Sequence, residues 1–279
     1  MLANNLEAIV GHLSEDIEFA ESGEGPALLF VPGSFGTGAG WRSVISKISG
    51  RYRLVTTSLL GYGATAERRP LGNATMAQQT DVLDQLFEEI AAPVHVVAHS
   101  FSGLSALAHA LEGRHKPASL TLVEANPFAI LRTIGDEAHY QMFQAMTAVY
   151  FAAFEGGRPD AARHVIDFYG GPGAFDAMPD KVRAYVMATT ASNIRDWSSG
   201  APFAPPIAMY RTIKIPTQII RGETTHPAMA RIAQALADSI PHATLSTLDG
   251  GSHFLPSTHA AEIAKLIEDG VRAAGAEAL

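Results

Sequence analysis

The sequence predicts an α/β protein: a mainly parallel sheet flanked by helices, with a purely helical segment inserted into it. Three observations lead there. Short β-rich apolar runs alternate with stretches of helical periodicity through the first half of the chain. That rhythm breaks after Pro127 and resumes near Thr217. A length of 279 residues, 47% apolar and 17% charged, suits one core carrying an insert better than two full domains. A chain of this size buries roughly 75% of the surface its unfolded form exposes, so its core needs no metal or disulfide.

Taken in order, Ile17–Ala20 and Ala27–Val31 read as strands on either side of the Gly23-Glu24-Gly25-Pro26 turn. Tyr52–Thr57 is the next strand, ending in a loop that holds Gly61 and Gly63. From Met76 to Ile90 apolar residues recur at helical spacing (Val82, Leu83, Leu86, Phe87, Ile90), and the pattern stops before Pro93. Val94–Ala98 is a β-rich run leading straight into Ser100, Leu104–Leu111 is helical, and Ser119–Val123 is a buried strand. Ala129 to about Tyr210 shows helical patterns only, interrupted at Gly170–Gly173 and Pro202–Pro206. Strands return at Thr217–Ile220 and Thr244–Leu248 with a helix, Met229–Ile240, between them. The helix Ala260–Val271 closes the core, and the Ala-rich tail beyond Ala273 is expected to fray. The expected division is 1–128 and 211–279 for the core and 129–210 for the helical insert.

Composition excludes several functions. A net charge of −8, with no basic run longer than Arg68-Arg69, argues against a nucleic-acid partner. Without a single cysteine there is no disulfide, no zinc-cysteine site and no thiol nucleophile. No window approaches 18 uninterrupted apolar residues, and Met1–Glu7 lacks the basic start of a signal peptide. A cytoplasmic protein acting on a small molecule is the expectation, away from membranes; oligomeric state leaves no trace in the sequence.

Three segments carry chemistry. In Ala98-His99-Ser100-Phe101-Ser102-Gly103 a serine sits between an apolar strand and an amphipathic helix, the setting of a nucleophile elbow. So tight a turn needs small residues two before and two after the serine, and Ala98 and Ser102 meet that need in place of the usual glycines. The elbow lifts the serine oxygen above the sheet and leaves the Phe101 amide free to donate to a developing oxyanion. A serine capping the helix is the plainer reading. The second segment, Val31-Pro32-Gly33-Ser34-Phe35-Gly36, ends an early strand and can supply the other oxyanion amide from Ser34. It lacks the Gly-Lys-Ser/Thr of a phosphate loop and offers no Gly-x-Gly-x-x-Gly. The third is Gly250-Gly251-Ser252-His253-Phe254, where a histidine beyond the last strand can swing towards Ser100 as its general base.

Strand-Pro-Gly, Trp41, Gly61-Tyr62-Gly63, the elbow, Ile215-Pro216-Thr217 and Gly250–His253, in that order, resemble the α/β-hydrolase superfamily across nearly all the chain outside the insert. The resemblance implies Ser100 and His253 as a catalytic pair beneath a helical cap. It also implies acyl transfer through an acyl-enzyme on Ser100, with no cofactor and no metal. Where members often carry an acidic residue after the penultimate strand, this chain has Thr225. Glu124, directly after the strand ending at Val123, is the expected acid; Glu223 is the alternative, and Asp249 reads as a turn residue. Dehalogenases and epoxide hydrolases of this fold use an aspartate at the elbow, so Ser100 points away from both.

A small, largely apolar carboxylic ester is the expected substrate. The rivals are carbon–carbon cleavage of a diketone and a non-catalytic ligand receptor on the same fold. In the insert Phe143, Met146, Tyr150, Phe151 and Phe154 form one apolar helical face, which is packing unless part of it lines a pocket. The pocket candidates are Phe35, Phe143, Tyr150, Trp197 and Phe254.

Overall fold

The central strands are apolar on both faces, and each face needs its own cover of helices. The computed structural model describes residues 9–12 and 16–277, and in it eight strands form one sheet. In chain order they are β1 (Ile9–His12), β2 (Glu18–Ser22), β3 (Ala27–Val31), β4 (Arg53–Thr56), β5 (Val94–His99), β6 (Ser119–Val123), β7 (Thr217–Gly222) and β8 (Thr244–Leu248). Across the sheet the order is β1-β2-β4-β3-β5-β6-β7-β8. The two pairings made by β2 are antiparallel, and every pairing from β4 to β8 is parallel. The sequence shows no sign of β1, which is too short for alternation to mark it.

The main helices are α1 (Met76–Ile90), α2 (Phe101–Glu112), α3 (Glu137–Glu155), α4 (Arg163–Gly170), α5 (Asp180–Ala188), α6 (Thr190–Gly200), α7 (Pro227–Ser239) and α8 (Ala260–Glu277). Alternation along β3 divides the core in two. Leu29 and Val31 join Leu86 of α1, Leu107 of α2 and Ile232 of α7 on one face. Leu28 and Phe30 join Trp41 and Ile263 and Ile267 of α8 on the other. Helix α1 starts where a capping box starts it: the Thr75 amide donates to Gln78 Oε1 at 2.9 Å, satisfying a donor the helix cannot. The tail expected to fray instead continues α8 to Glu277, because Ala274 is buried. Residues 129–210 contain six helices and, among the described residues, no strand. No helix of the described residues is long and apolar enough to cross a membrane.

Topology fixes where a site can form. The chain runs from β3 to β4 on one side and returns to β5 on the other, which opens a crevice at the carboxyl ends of β3 and β5. Helix α2 packs hard against the loop after β6: a Cβ on Gly103 would fall 2.4 Å from that of Ala125. We expect Gly103→Ala to lower stability by about 1–3 kcal/mol through overpacking. Gly275→Ala, which meets nothing within 4 Å, should leave the thermal midpoint unchanged or raised. Thermal unfolding of the two variants checks this.

Candidate active site

Ser100 leaves β5 at φ 57° and ψ −123°, a backbone conformation that side chains resist and that turns its oxygen out of the sheet. The surroundings over-determine it. Its amide donates to Val123 O at 3.0 Å, and its carbonyl accepts from Gly103 N at 2.9 Å. Ser102, standing where a glycine is usual, has a structural use: its hydroxyl accepts from His99 N at 2.8 Å and donates to Val31 O at 2.7 Å. That bond ties the elbow to β3. Gly33, beyond β3, comes so close that a Cβ there would lie 2.9 Å from Ser100 Cβ.

Three side chains from three strand ends meet. His253 Nε2 lies 3.0 Å from Ser100 Oγ, and its Nδ1 lies 3.1 Å from Glu124 Oε2. A carboxylate only accepts, so the ring's proton belongs on Nδ1 and Nε2 is left to accept from the serine hydroxyl. Glu124 is itself held at φ 48° and fully engaged: Oε1 accepts from Gly222 N at 2.7 Å and Oε2 from the Thr225 hydroxyl at 2.6 Å. Thr225, from the loop after β7, thus hydrogen-bonds the carboxylate that stands at the end of β6. Glu223 is exposed and accepts from Gly250 N at 2.8 Å, away from the histidine. Asp249 is exposed in the same turn.

His253 is held at two further points, one on its ring and one on its backbone. The Tyr169 ring, from α4, stacks on it at 4.1 Å and 14°, and the Tyr169 hydroxyl accepts from Asn126 Nδ2 at 3.0 Å. His99 Nε2 donates to the His253 carbonyl at 2.8 Å. Enclosure by protein and the nearby His253 push His99 down to about 3, so it is neutral and holds the loop as a hydrogen-bond donor.

A cavity of about 250 Å³ opens over Ser100. Its walls include Phe35, Phe128, Ile166, Met178, Trp197 and Phe254. The Ser34 and Phe101 amides border it, and neither has a hydrogen-bond acceptor among the described residues. Two pocket candidates do not reach it. Phe143 is fully buried one layer back, against Phe128, Phe168 and Trp197. Tyr150 is equally buried, and its hydroxyl donates to Asn193 Oδ1 at 2.9 Å. Helical periodicity marks an inward face but not which layer of side chains meets the cavity.

A buried polar cluster borders the same cavity and has no signature in the sequence. Asp196 of α6 accepts from Ser34 Oγ at 2.6 Å, Tyr62 Oη at 2.7 Å and Arg69 Nη1 at 2.6 Å. Arg69 also forms a two-point pair with Glu67. Burial pushes the Asp196 carboxyl up, and the Arg69 guanidinium and the three donors pull it back. Among the described residues, no cluster of three or more His, Asp or Glu is arranged to hold a metal ion.

Residues 28–266 match the alpha/beta hydrolase family. The chain belongs to that family. This hydrolase is 25% identical over 268 residues to the magnesium-chelatase 30 kDa subunit of Rhodobacter capsulatus, covering 88% of this chain and 87% of that one. A shorter match, 31% identical over 116 residues, covers 41% of this chain and 42% of the pimeloyl-[acyl-carrier protein] methyl ester esterase of Aliivibrio salmonicida (strain LFI1238). Among solved structures, a thermophilic esterase from Thermogutta terrifontis shares the fold with a TM-score of 0.71 at 19% identity, over 92% of this chain and 94% of that one.

The neutral His99 sets a pH dependence of stability for the hydrolase. Its pKa is about 3 folded against an ordinary value near 6.5, so below 6.5 the unfolded chain binds a proton that the folded one refuses. Its contribution to stability is therefore lost as pH falls from 6.5 towards 3. Urea unfolding at pH 7.0, 5.5 and 4.5 should show a shallower loss in His99→Gln, which keeps a donor for His253 O.

Proposed function

We propose that this hydrolase is a serine esterase in which Ser100 is the nucleophile, His253 the general base and Glu124 the acid that orients it. The observation that carries the reading is the unbroken chain from Ser100 Oγ to His253 and on to Glu124, with links of 3.0 and 3.1 Å. The site performs two acyl transfers. His253 Nε2 takes the hydroxyl proton as Ser100 Oγ attacks the ester carbonyl, and the Ser34 and Phe101 amides receive the charge that develops on its oxygen. The alcohol leaves with the proton from His253. Water, deprotonated by the same ring, then attacks the acyl-enzyme, and His253 returns that proton to Ser100 Oγ as the acid is released. Glu124 keeps the ring in the correct tautomer and stabilises the imidazolium that forms twice in each cycle. Neither half-reaction calls on a metal or an organic cofactor.

The substrate in this reading is a small, largely apolar ester. Support comes from the walls of the cavity, where aromatic and aliphatic side chains outnumber the polar ones, and from the relative named as a methyl ester esterase. Residues 129–210 act as a cap: Ile166, Met178 and Trp197 come from it, while Phe35 and Phe254 come from the core.

Fluorophosphonate labelling followed by peptide mapping tests the nucleophile with no assumption about substrate. An adduct on Ser100, absent in Ser100→Ala, is expected; a folded, unlabelled protein would overturn the reading in favour of a ligand receptor. Glu124→Gln should retain the fold and lose roughly 10³–10⁴ in kcat on an aryl ester, because an amide favours the wrong histidine tautomer. Turnover of that ester without action on a ring-cleavage diketone distinguishes ester from carbon–carbon hydrolysis.

A further inference from the structure

The amide of Ser34 belongs to a turn that does not hold its shape unaided. The turn is closed by Gly36 N donating to Gly33 O at 3.0 Å, and its third residue, Phe35, sits at φ 62°. A non-glycine residue there is strained and persists only where its surroundings leave no alternative. Two contacts supply that restraint, and they converge. The Phe35 ring meets Tyr62 edge-on at 6.2 Å, while Tyr62 Oη and Ser34 Oγ both donate to the same oxygen, Asp196 Oδ2.

We propose that Asp196, reaching down from α6, is a positioning residue: by accepting from Ser34 Oγ it aims the neighbouring Ser34 amide at the oxyanion. This inference rests on the serine-esterase reading above. The position of the carboxylate supports it. Asp196 is 1% exposed, and a buried ion pair such as Asp196–Arg69 contributes little net stability over apolar packing, because desolvation offsets the attraction. What the arrangement supplies is direction. Arg69 fixes Oδ1, with its own fork held by Glu67, Leu60 O and Ser192 O, so Oδ2 is presented to Ser34 at a fixed point. Residues 34 and 196 lie far apart in sequence and on different parts of the fold. The bond therefore couples the helical insert to the transition state, although Asp196 touches no reacting atom.

The test compares wild type, Ser34→Ala, Asp196→Asn and the double variant in three measurements: thermal midpoint, kcat and KM on an aryl ester, and inhibition by an arylboronic acid, which mimics the tetrahedral oxyanion. Ser34→Ala keeps the amide and removes only the tether. It should keep the thermal midpoint and KM while losing about tenfold to a hundredfold in both kcat and boronate affinity, since a displaced donor is penalised less than a deleted one. Asp196→Asn should lower the midpoint as well. The double variant should lose no more kcat than Asp196→Asn alone, the two side chains acting through one bond. Wild-type kcat and boronate affinity in Ser34→Ala, or losses that multiply in the double variant, would overturn the positioning role while leaving the esterase reading intact. A wild type with neither turnover nor a fluorophosphonate adduct on Ser100 would overturn the esterase reading, and this inference with it.

Discussion

The site depends on a backbone that runs against its own preference at one residue. Ser100 is held at a positive φ that serine resists, and the restraint comes from every direction. Val123 anchors its amide, Ser102 ties the turn to β3, and Gly103 and Gly33 let α2 and the loop after β3 come close. Five non-glycine residues among those described have positive φ, and three of them, Phe35, Ser100 and Glu124, belong to this site. Strain of this kind survives where neighbouring structure enforces it. Here the enforcing structure is the parallel sheet, whose carboxyl ends bring Ser34, Ser100, Glu124, Thr225 and His253 to one edge.

Much of this was legible in the sequence because it is written locally. A buried strand followed by small-x-Ser-x-small and an amphipathic helix is a continuous signal, and the observed β5 and α2 extend the expected elements by only a few residues. The glycine-flanked histidine after the last strand is local in the same way. Glu124 could be singled out because it ends a strand, but its partners could not. The hydrogen bonds from Gly222 and Thr225 depend on β6 and β7 lying side by side, which spacing along the chain does not reveal.

The remainder was illegible for a physical reason. Asp196 and Arg69 are unremarkable charges in sequence, separated by more than a hundred positions, and only the fold makes them a buried pair. Tyr169 looks like an ordinary core residue until stacking brings it against the imidazole, and Asn126 until it is seen to hold the Tyr169 hydroxyl. Phe143 and Tyr150 show the opposite error. Their periodicity points inward correctly, yet the next layer, Phe128 and Trp197, is what meets the cavity.

The stacking of Tyr169 on His253 also bears on how the molecule moves. The helical segment reaches into the core at two places at once, through Tyr169 on the imidazole face and through Asp196 on the loop after β3. Swinging the whole segment aside would uncover the histidine and slacken that loop together. A rigid displacement of residues 129–210 would therefore have to break both contacts at once. Val182, on α5, shows what stays free of that constraint: it belongs to the cavity wall, faces solvent at 46% exposure, and is tied to neither of the two contacts.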